Sequence, residues 1–219
     1  MALKQRLISK LLIEDGVAVK YRRFTDDRRV VGDPVSLCHV QSAQILDEFH
    51  FCFIGTADPE LVREMNRACM TACSVSGSIH TTEQVDELIR ECGVDKIVTK
   101  SDTVGWYVAE RYGRQAAVWC HTYGGDAAFA EVPEWAGEIL LTSVDRDGCG
   151  TGVDIGALRF PWSRPVVVAG GVGRLGHVKD ALEAGADGVA VSSMFAFTDS
   201  NAVKLRSWLV SSGCNVRIA

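Results

Sequence analysis

Pro165-Val166-Val167-Val168-Ala169-Gly170-Gly171-Val172-Gly173 and Gly188-Val189-Ala190-Val191-Ser192-Ser193 are two short apolar runs, each closed by small residues. Between them, residues 176–184 carry apolar side chains at helical spacing. A strand, a helix and a second strand in about 30 residues form a parallel βαβ unit, since antiparallel neighbours would need only a tight turn. Both runs are apolar at nearly every position, as strands are when covered on both faces.

The same alternation extends back to the start of the chain. Strands are expected at residues 7–13, 49–54, 72–76, 96–99, 116–122 and 138–143, with a short extension at 18–20. Helices are expected at 34–46, 59–70, 81–92, 102–112 and 201–211, with a short one at 154–158. Asp33-Pro34 and Asp58-Pro59 each set a capping carboxylate before a proline at the first helical position. Gly93 stops the third helix. Eight β/α units predict an α/β protein whose parallel sheet closes as a (β/α)8 TIM barrel. Residues 123–137 are too few for a loop and a full helix, so the fifth unit is shortened and the barrel is expected to be eroded or open there. With no linker and no compositional break, residues 1–219 are read as a single barrel domain. Asp47-Glu48-Phe49 against Gly137-Glu138-Ile139, and Gly93-Val94-Asp95-Lys96-Ile97 against Gly185-Ala186-Asp187-Gly188-Val189, hint at two similar half-barrels.

Composition excludes several classes. A net charge of -5 argues against a nucleic-acid or membrane-surface binder. No apolar run reaches the roughly 20 residues of a membrane span, and no secretory signal is visible. The eight cysteines contain no C-x-x-C pair, so reduced thiols in a cytoplasmic protein are expected, with no metal and no cofactor.

In a barrel of this kind the chemistry sits at the C-terminal ends of the strands. Gly170 and Gly171 let backbone N–H groups approach an anion, and Ser192 and Ser193 end the next strand beside them, a recurrent phosphate position. Across the mouth, Ser78, Lys100 and Ser101 are candidates for a second phosphate. The loop after the sixth strand brings Asp145, Arg146, Asp147 and Gly148 to the same face.

Phe24 through Gly32-Asp33-Pro34, the run from Gly137 to Gly148, and Gly170-Gly171 with Glu183-Ala184-Gly185-Ala186-Asp187 together resemble the cyclase subunit of imidazole glycerol phosphate synthase (HisF) over nearly the whole chain. The resemblance implies a barrel of the ribulose-phosphate-binding type. It also implies a glutaminase (HisH-like) partner docked on the N-terminal face, ammonia crossing the barrel axis, and a bis-phosphorylated aminoimidazole substrate at the other end. Arg6, Glu48, Lys96 and Glu138 match the family's charged ammonia gate, and Lys20 matches a lysine of its flexible first loop, which here also carries Arg22, Arg23, Arg28 and Arg29. The family's two catalytic aspartates end the first and fifth strands, where this chain has Leu12 and, at or next to the position, Thr122. Leucine cannot transfer a proton and threonine replaces a carboxylate poorly. His121 and Asp147 are therefore candidate acid–base groups beside Thr122. Phe53 stands for a further aspartate after the second strand, and Ser76-Gly77-Ser78 for a three-glycine turn.

The expected function is a divergent HisF-like subunit that binds a phosphorylated substrate and uses ammonia with its usual aspartates lost. Leucine at the strand-one position is similar to members of surface-sugar amidation pathways. The alternatives are cyclase activity in histidine biosynthesis and a non-catalytic phosphometabolite-binding scaffold. Isomerase chemistry of the related histidine-pathway barrel would need the same lost aspartates.

Overall fold

The computed structural model describes residues 3–25, 27–125 and 129–218. The first strand, β1 (Arg6–Glu14), turns at Asp15-Gly16 into β2 (Val17–Lys20), which pairs antiparallel with β1 and with β3 (Arg29–Gly32). Then follow α1 (Pro34–Ser42), β4 (Glu48–Phe53), α2 (Pro59–Ala68), β5 (Ala72–Ser76), α3 (Thr82–Asp86), β6 (Lys96–Thr99) and α4 (Asp102–Tyr112). The second half runs through β7 (Ala117–Tyr123), β8 (Glu138–Ser143), β9 (Val166–Ala169), α5 (Leu175–Glu183), β10 (Gly188–Val191), α6 (Ser193–Phe197) and α7 (Ala202–Ser211). Strands β1 and β4 to β10 pair in parallel in sequence order, and β10 pairs back onto β1, which closes an eight-stranded (β/α)8 barrel. The β2–β3 hairpin is an addition at the C-terminal end of β1; only its first strand was anticipated from the sequence.

Asp33 and Asp58 cap α1 and α2 as expected, accepting from Ser36 N and Glu60 N. Helix α1 stops at Ser42, short of residue 46, because Ile45 adopts a left-handed φ of 59° and its carbonyl accepts from Arg206 Nε at 3.0 Å. Helix α2 stops two residues early, and Met70 N donates to Ser42 Oγ at 2.8 Å. The expected third helix divides into α3 and a π-turn over Glu87–Glu91.

The hint of a repeat has a structural counterpart. Asp95 accepts from Cys73 N at the start of β5, and Asp187 accepts from Val166 N at the start of β9, both at 2.8 Å. Asp47 accepts from Leu7 N in the same way, so a carboxylate before one strand braces the start of the previous one in each case.

The shortened fifth unit does not open the barrel. Strand β7 holds three register pairs with β6 and six with β8. Trp135, fully buried, packs where Gly105 of α4 leaves room: a Cβ there would lie 2.3 Å from the indole. Its Nε1 donates to Asp102 Oδ1 at 2.8 Å. Phe129, Phe160 and Trp162 then cover the outside of β7, with ring centroids 4.6–5.3 Å apart. A local aromatic cluster thus buries the apolar face that a helix would otherwise cover.

Two apolar layers result. The larger lies between strands and helices, and the smaller fills the barrel with Ile8, Val98, Val118, Leu140, Val167, Ala169 and Ala190. Among the described residues, no helix is long and apolar enough to cross a membrane.

Candidate functional site

The N-terminal end of the barrel axis is closed by charge. Arg6 opens β1, Glu48 β4, Lys96 β6 and Glu138 β8, and all four side chains turn inward. Arg6 Nη1 donates to Glu48 Oε2 at 3.1 Å and Nη2 contacts Glu138 Oε1. Lys96 Nζ lies 2.8 Å from Glu48 and 3.0 Å from Glu138. Each charge therefore touches two of opposite sign, which is the pairing that buried ions require. Burial still pushes the Glu48 carboxyl above its ordinary range. Burial acts the same way on Glu138, but hydrogen bonding to Arg6 and the charge of Lys96 outweigh it and hold that carboxyl low.

Beyond the ring lies a cavity of about 10 Å³, close to the least that one water-sized molecule needs, bordered by Glu48, Glu138, Ile8, His50 and Ser74. His50 is buried on the axis. Its Nδ1 lies 3.1 Å from Ser74 Oγ and its Nε2 3.1 Å from Ser76 Oγ. Ser74 Oγ donates to the carbonyl of Phe49 at 3.1 Å, so it must accept from Nδ1–H. That leaves Nε2 as acceptor for the Ser76 hydroxyl. Burial first, and then the charge of Lys10, push the His50 pKa down to about 3, so the imidazole is neutral.

At the opposite end of the axis is a cleft of about 380 Å³. Its polar lining includes Lys10, Lys20, Asp147, Ser192 and Ser193, with Glu14, Tyr21 and Thr25 toward the hairpin, and Leu12, Cys52 and Ile54 form much of the apolar wall. Lys20, at the end of β2, reaches over the cleft; its Nζ contacts Ser192 Oγ and donates to the Lys10 carbonyl at 3.3 Å. Burial, and next the Lys10 ammonium, push Lys20 down to about 8. Burial also disfavours the charge on Lys10, but Cys52, Asp147 and Cys120 face it and hold its pKa above the ordinary value.

The hairpin that carries Lys20 docks on the loop after β8. Arg23 N donates to the Asp147 carbonyl at 2.9 Å, and Arg23 Nε to the Asp145 carbonyl at 3.1 Å. A Cβ at Gly148 would lie 2.2 Å from the Tyr21 carbonyl, so this contact needs glycine. Arg28 pairs with Glu14, and Arg29 with Asp27 at 3.2 Å. Gly148 and Arg22 border a second hollow of about 260 Å³ beside Lys20 and Ser193. Gly170 and Gly171 adopt φ values of 91° and 90°, and a Cβ on Gly171 would lie 2.1 Å from the Gly152 carbonyl. These two glycines set the turn after β9 tightly against the β8 loop.

The structure therefore gathers Lys20, Asp147, Ser192 and Ser193 in one cleft, with Gly148 on the adjoining hollow. It does not gather the opposite set there. Lys100 Nζ donates to Thr122 Oγ1 at 2.6 Å outside that lining. Ser101 accepts from Val104 N as the cap of α4, and Ser78 N donates to the Gly55 carbonyl at 2.7 Å. His121 corrects the sequence reading. Strand alternation turns Cys120 and Thr122 into the barrel and His121 out of it, where its ring lies 4.6 Å from Trp119 and 5.9 Å from Trp162. Its Nε2 is buried without a partner among the described residues, and burial lowers its pKa. An imidazole in that layer does not reach the cleft. Phe53 likewise packs in the outer layer and does not line the cleft. Leu12 does line the cleft, with a side chain that can carry no proton.

Sequence reasoning missed Lys10 and His50. Both face inward as register partners on β1 and β4. Among the described residues, no group of three or more His, Cys, Asp or Glu side chains could hold a metal ion.

A family model described as "Histidine biosynthesis protein" matches residues 127–201. The chain is 33% identical over 254 aligned positions to the imidazole glycerol phosphate synthase subunit HisF of Streptomyces coelicolor, covering 99% of this chain and 100% of the relative. It is 32% identical over 251 positions to the subunit of the same name from a Thermotoga species (strain RQ2), covering 99% and 98%. Both alignments are longer than the chain's 219 residues, so these relatives carry segments that it lacks. The chain belongs to the family of the imidazole glycerol phosphate synthase subunit HisF.

Proposed function

We propose that this chain is a single-domain synthase subunit that binds a phosphorylated substrate in the cleft and uses ammonia supplied by a glutaminase docked on the N-terminal face, without the family's usual pair of catalytic aspartates. The observation that carries this reading is the placement of two features on one axis: the Arg6–Glu48–Lys96–Glu138 ring at one end and the lysine- and serine-lined cleft at the other. The Lys20 ammonium, as a point charge, and the Ser192 and Ser193 hydroxyls suit a phosphate group. Ammonia would have to pass the apolar interior layer as the neutral molecule, since a buried cation there would be costly. Neutral His50 would not repel it as an imidazolium would.

The acid–base work is the weak point of any family-like reaction here. Leu12 borders the cleft where one proton carrier is expected, and Thr122 stands at or next to the place of the other. Asp147 is the remaining carboxylate in reach of Lys20 and favours a second reading, in which family chemistry persists on a rearranged acid–base group.

The test is to titrate the purified protein with the family's bis-phosphorylated substrate and then add excess ammonium at alkaline pH, which bypasses any glutaminase. Binding without turnover is the expected result. Turnover would overturn the proposed loss of acid–base function, and Asp147→Asn would then show whether Asp147 carries it. Absence of binding would overturn the phosphate-site reading itself.

A further inference from the structure

Lys10 is unlike the other cations of the cleft. Lys20 is held by Ser192 and by the Lys10 carbonyl, and Glu14, the other carboxylate on the lining, is taken by Arg28 and Tyr21. Lys10 comes up from β1 on the inner face of the barrel, between Cys52 of β4 and Cys120 of β7. Among the described residues, no acceptor lies within hydrogen-bond or ion-pair distance of its Nζ. The side chain lines the cleft at its axial end, next to Leu12 and Cys52. Half-buried and open to the cleft, the ammonium keeps its charge because Asp147 faces it from beyond ion-pair distance, and its donor positions stay free for a ligand. Lys10 and Lys20 face a single uncommitted carboxylate, Asp147, so the cleft has one positive charge in excess.

We propose that Lys10 contacts the substrate directly, and that the substrate carries a carboxylate at the axial end of the cleft in addition to the phosphate group at Ser192 and Ser193. This rests on the reading of the cleft as a phosphate site. A carboxylate fits better than a second phosphate because the axial end offers one ammonium among a leucine and a thiol. That matches a single negative charge, whereas a phosphate dianion calls for several donors. With Leu12 on one wall and Lys10 on the floor, the site is built to hold negative charge rather than to accept protons.

Glycerol 3-phosphate and 3-phosphoglycerate have the same three-carbon skeleton and the same phosphate, and differ by a carboxylate in place of a terminal alcohol. Calorimetric titration of both, on the wild-type chain and on Lys10→Met and Lys10→Arg, tests the inference. The wild type is expected to bind 3-phosphoglycerate at least about tenfold more tightly than glycerol 3-phosphate. Lys10→Met should remove that preference while keeping glycerol 3-phosphate affinity within about twofold, which also shows that the variant is folded. Lys10→Arg should retain the preference. Equal binding of the two ligands by the wild type, or a preference that survives Lys10→Met, would overturn the role of Lys10 and leave the phosphate site standing. If neither ligand binds, the phosphate reading fails and this inference fails with it.

Discussion

Mild acid is expected to destabilise this barrel through His50 more than through any other histidine. The folded chain holds the imidazole neutral between Ser74 and Ser76, with its pKa near 3 against an ordinary value of 6.5. The unfolded chain takes up a proton below about pH 6.5 that the folded chain refuses, so this contribution to stability is complete above that value and is lost as the pH falls. At about 1.4 kcal/mol per unit the full loss is roughly 5 kcal/mol, reached only near pH 3. By pH 5 it is already about 2 kcal/mol. Urea unfolding of the wild type and of His50→Gln, each at about pH 7.5 and pH 5, isolates it, because carboxylates elsewhere titrate alike in both proteins. The wild type should lose about 2 kcal/mol more than the variant over that interval. Equal losses would refute the reasoning, as would a nuclear magnetic resonance titration in which His50 gains its proton near neutral pH.

Four further outcomes follow from the same geometry. Glu138→Gln leaves Arg6 and Lys96 each with one partner fewer, and should cost about 3 kcal/mol or more in chemical unfolding. Lys20 sheds its charge near pH 8, so glycerol 3-phosphate affinity should weaken as the pH rises through that range, and calorimetry on Lys20→Met should find a weaker, flat profile. His121→Phe should lie within about 1 kcal/mol of the wild type in thermal unfolding and leave ligand binding unchanged, because the ring sits in an aromatic layer with an unpartnered Nε2. Gly171→Ala combines a left-handed φ with a Cβ 2.1 Å from the Gly152 carbonyl, and should lose at least about 2 kcal/mol together with glycerol 3-phosphate binding.

The order of strands and helices was legible because capping residues, turn glycines and apolar runs are local signals. Asp33-Pro34 and Asp58-Pro59 fixed two helix starts without reference to the rest of the chain. The early end of α1 was hidden because it depends on Arg206, which is remote in sequence and bonds the Ile45 carbonyl. Closure at the fifth unit was hidden for a similar reason: the cover on β7 comes from Phe129, Phe160 and Trp162, drawn from two separate loops.

The direction in which each strand side chain points was the harder matter. A strand buried on both faces carries no polar–apolar alternation, so its sequence does not say which residues face the axis, and an error of one residue exchanges inside for outside. The charged ring supplies the missing reference in four strands. Arg6 faces the axis, so steps of two along β1 bring Ile8, Lys10 and Leu12 inward; from Glu48 they bring His50 and Cys52, and from Glu138, Leu140 and Thr142. Lys10 and His50 are therefore deducible from the ring by parity alone, although neither belongs to a recognisable motif. Strand β7 contributes no member to the ring, and nothing in its sequence anchors the count. There a chemically attractive histidine sits between a cysteine and a threonine, and only the pairing of Val118 with Glu138 and Cys120 with Leu140 decides that the neighbours, not the histidine, face the axis.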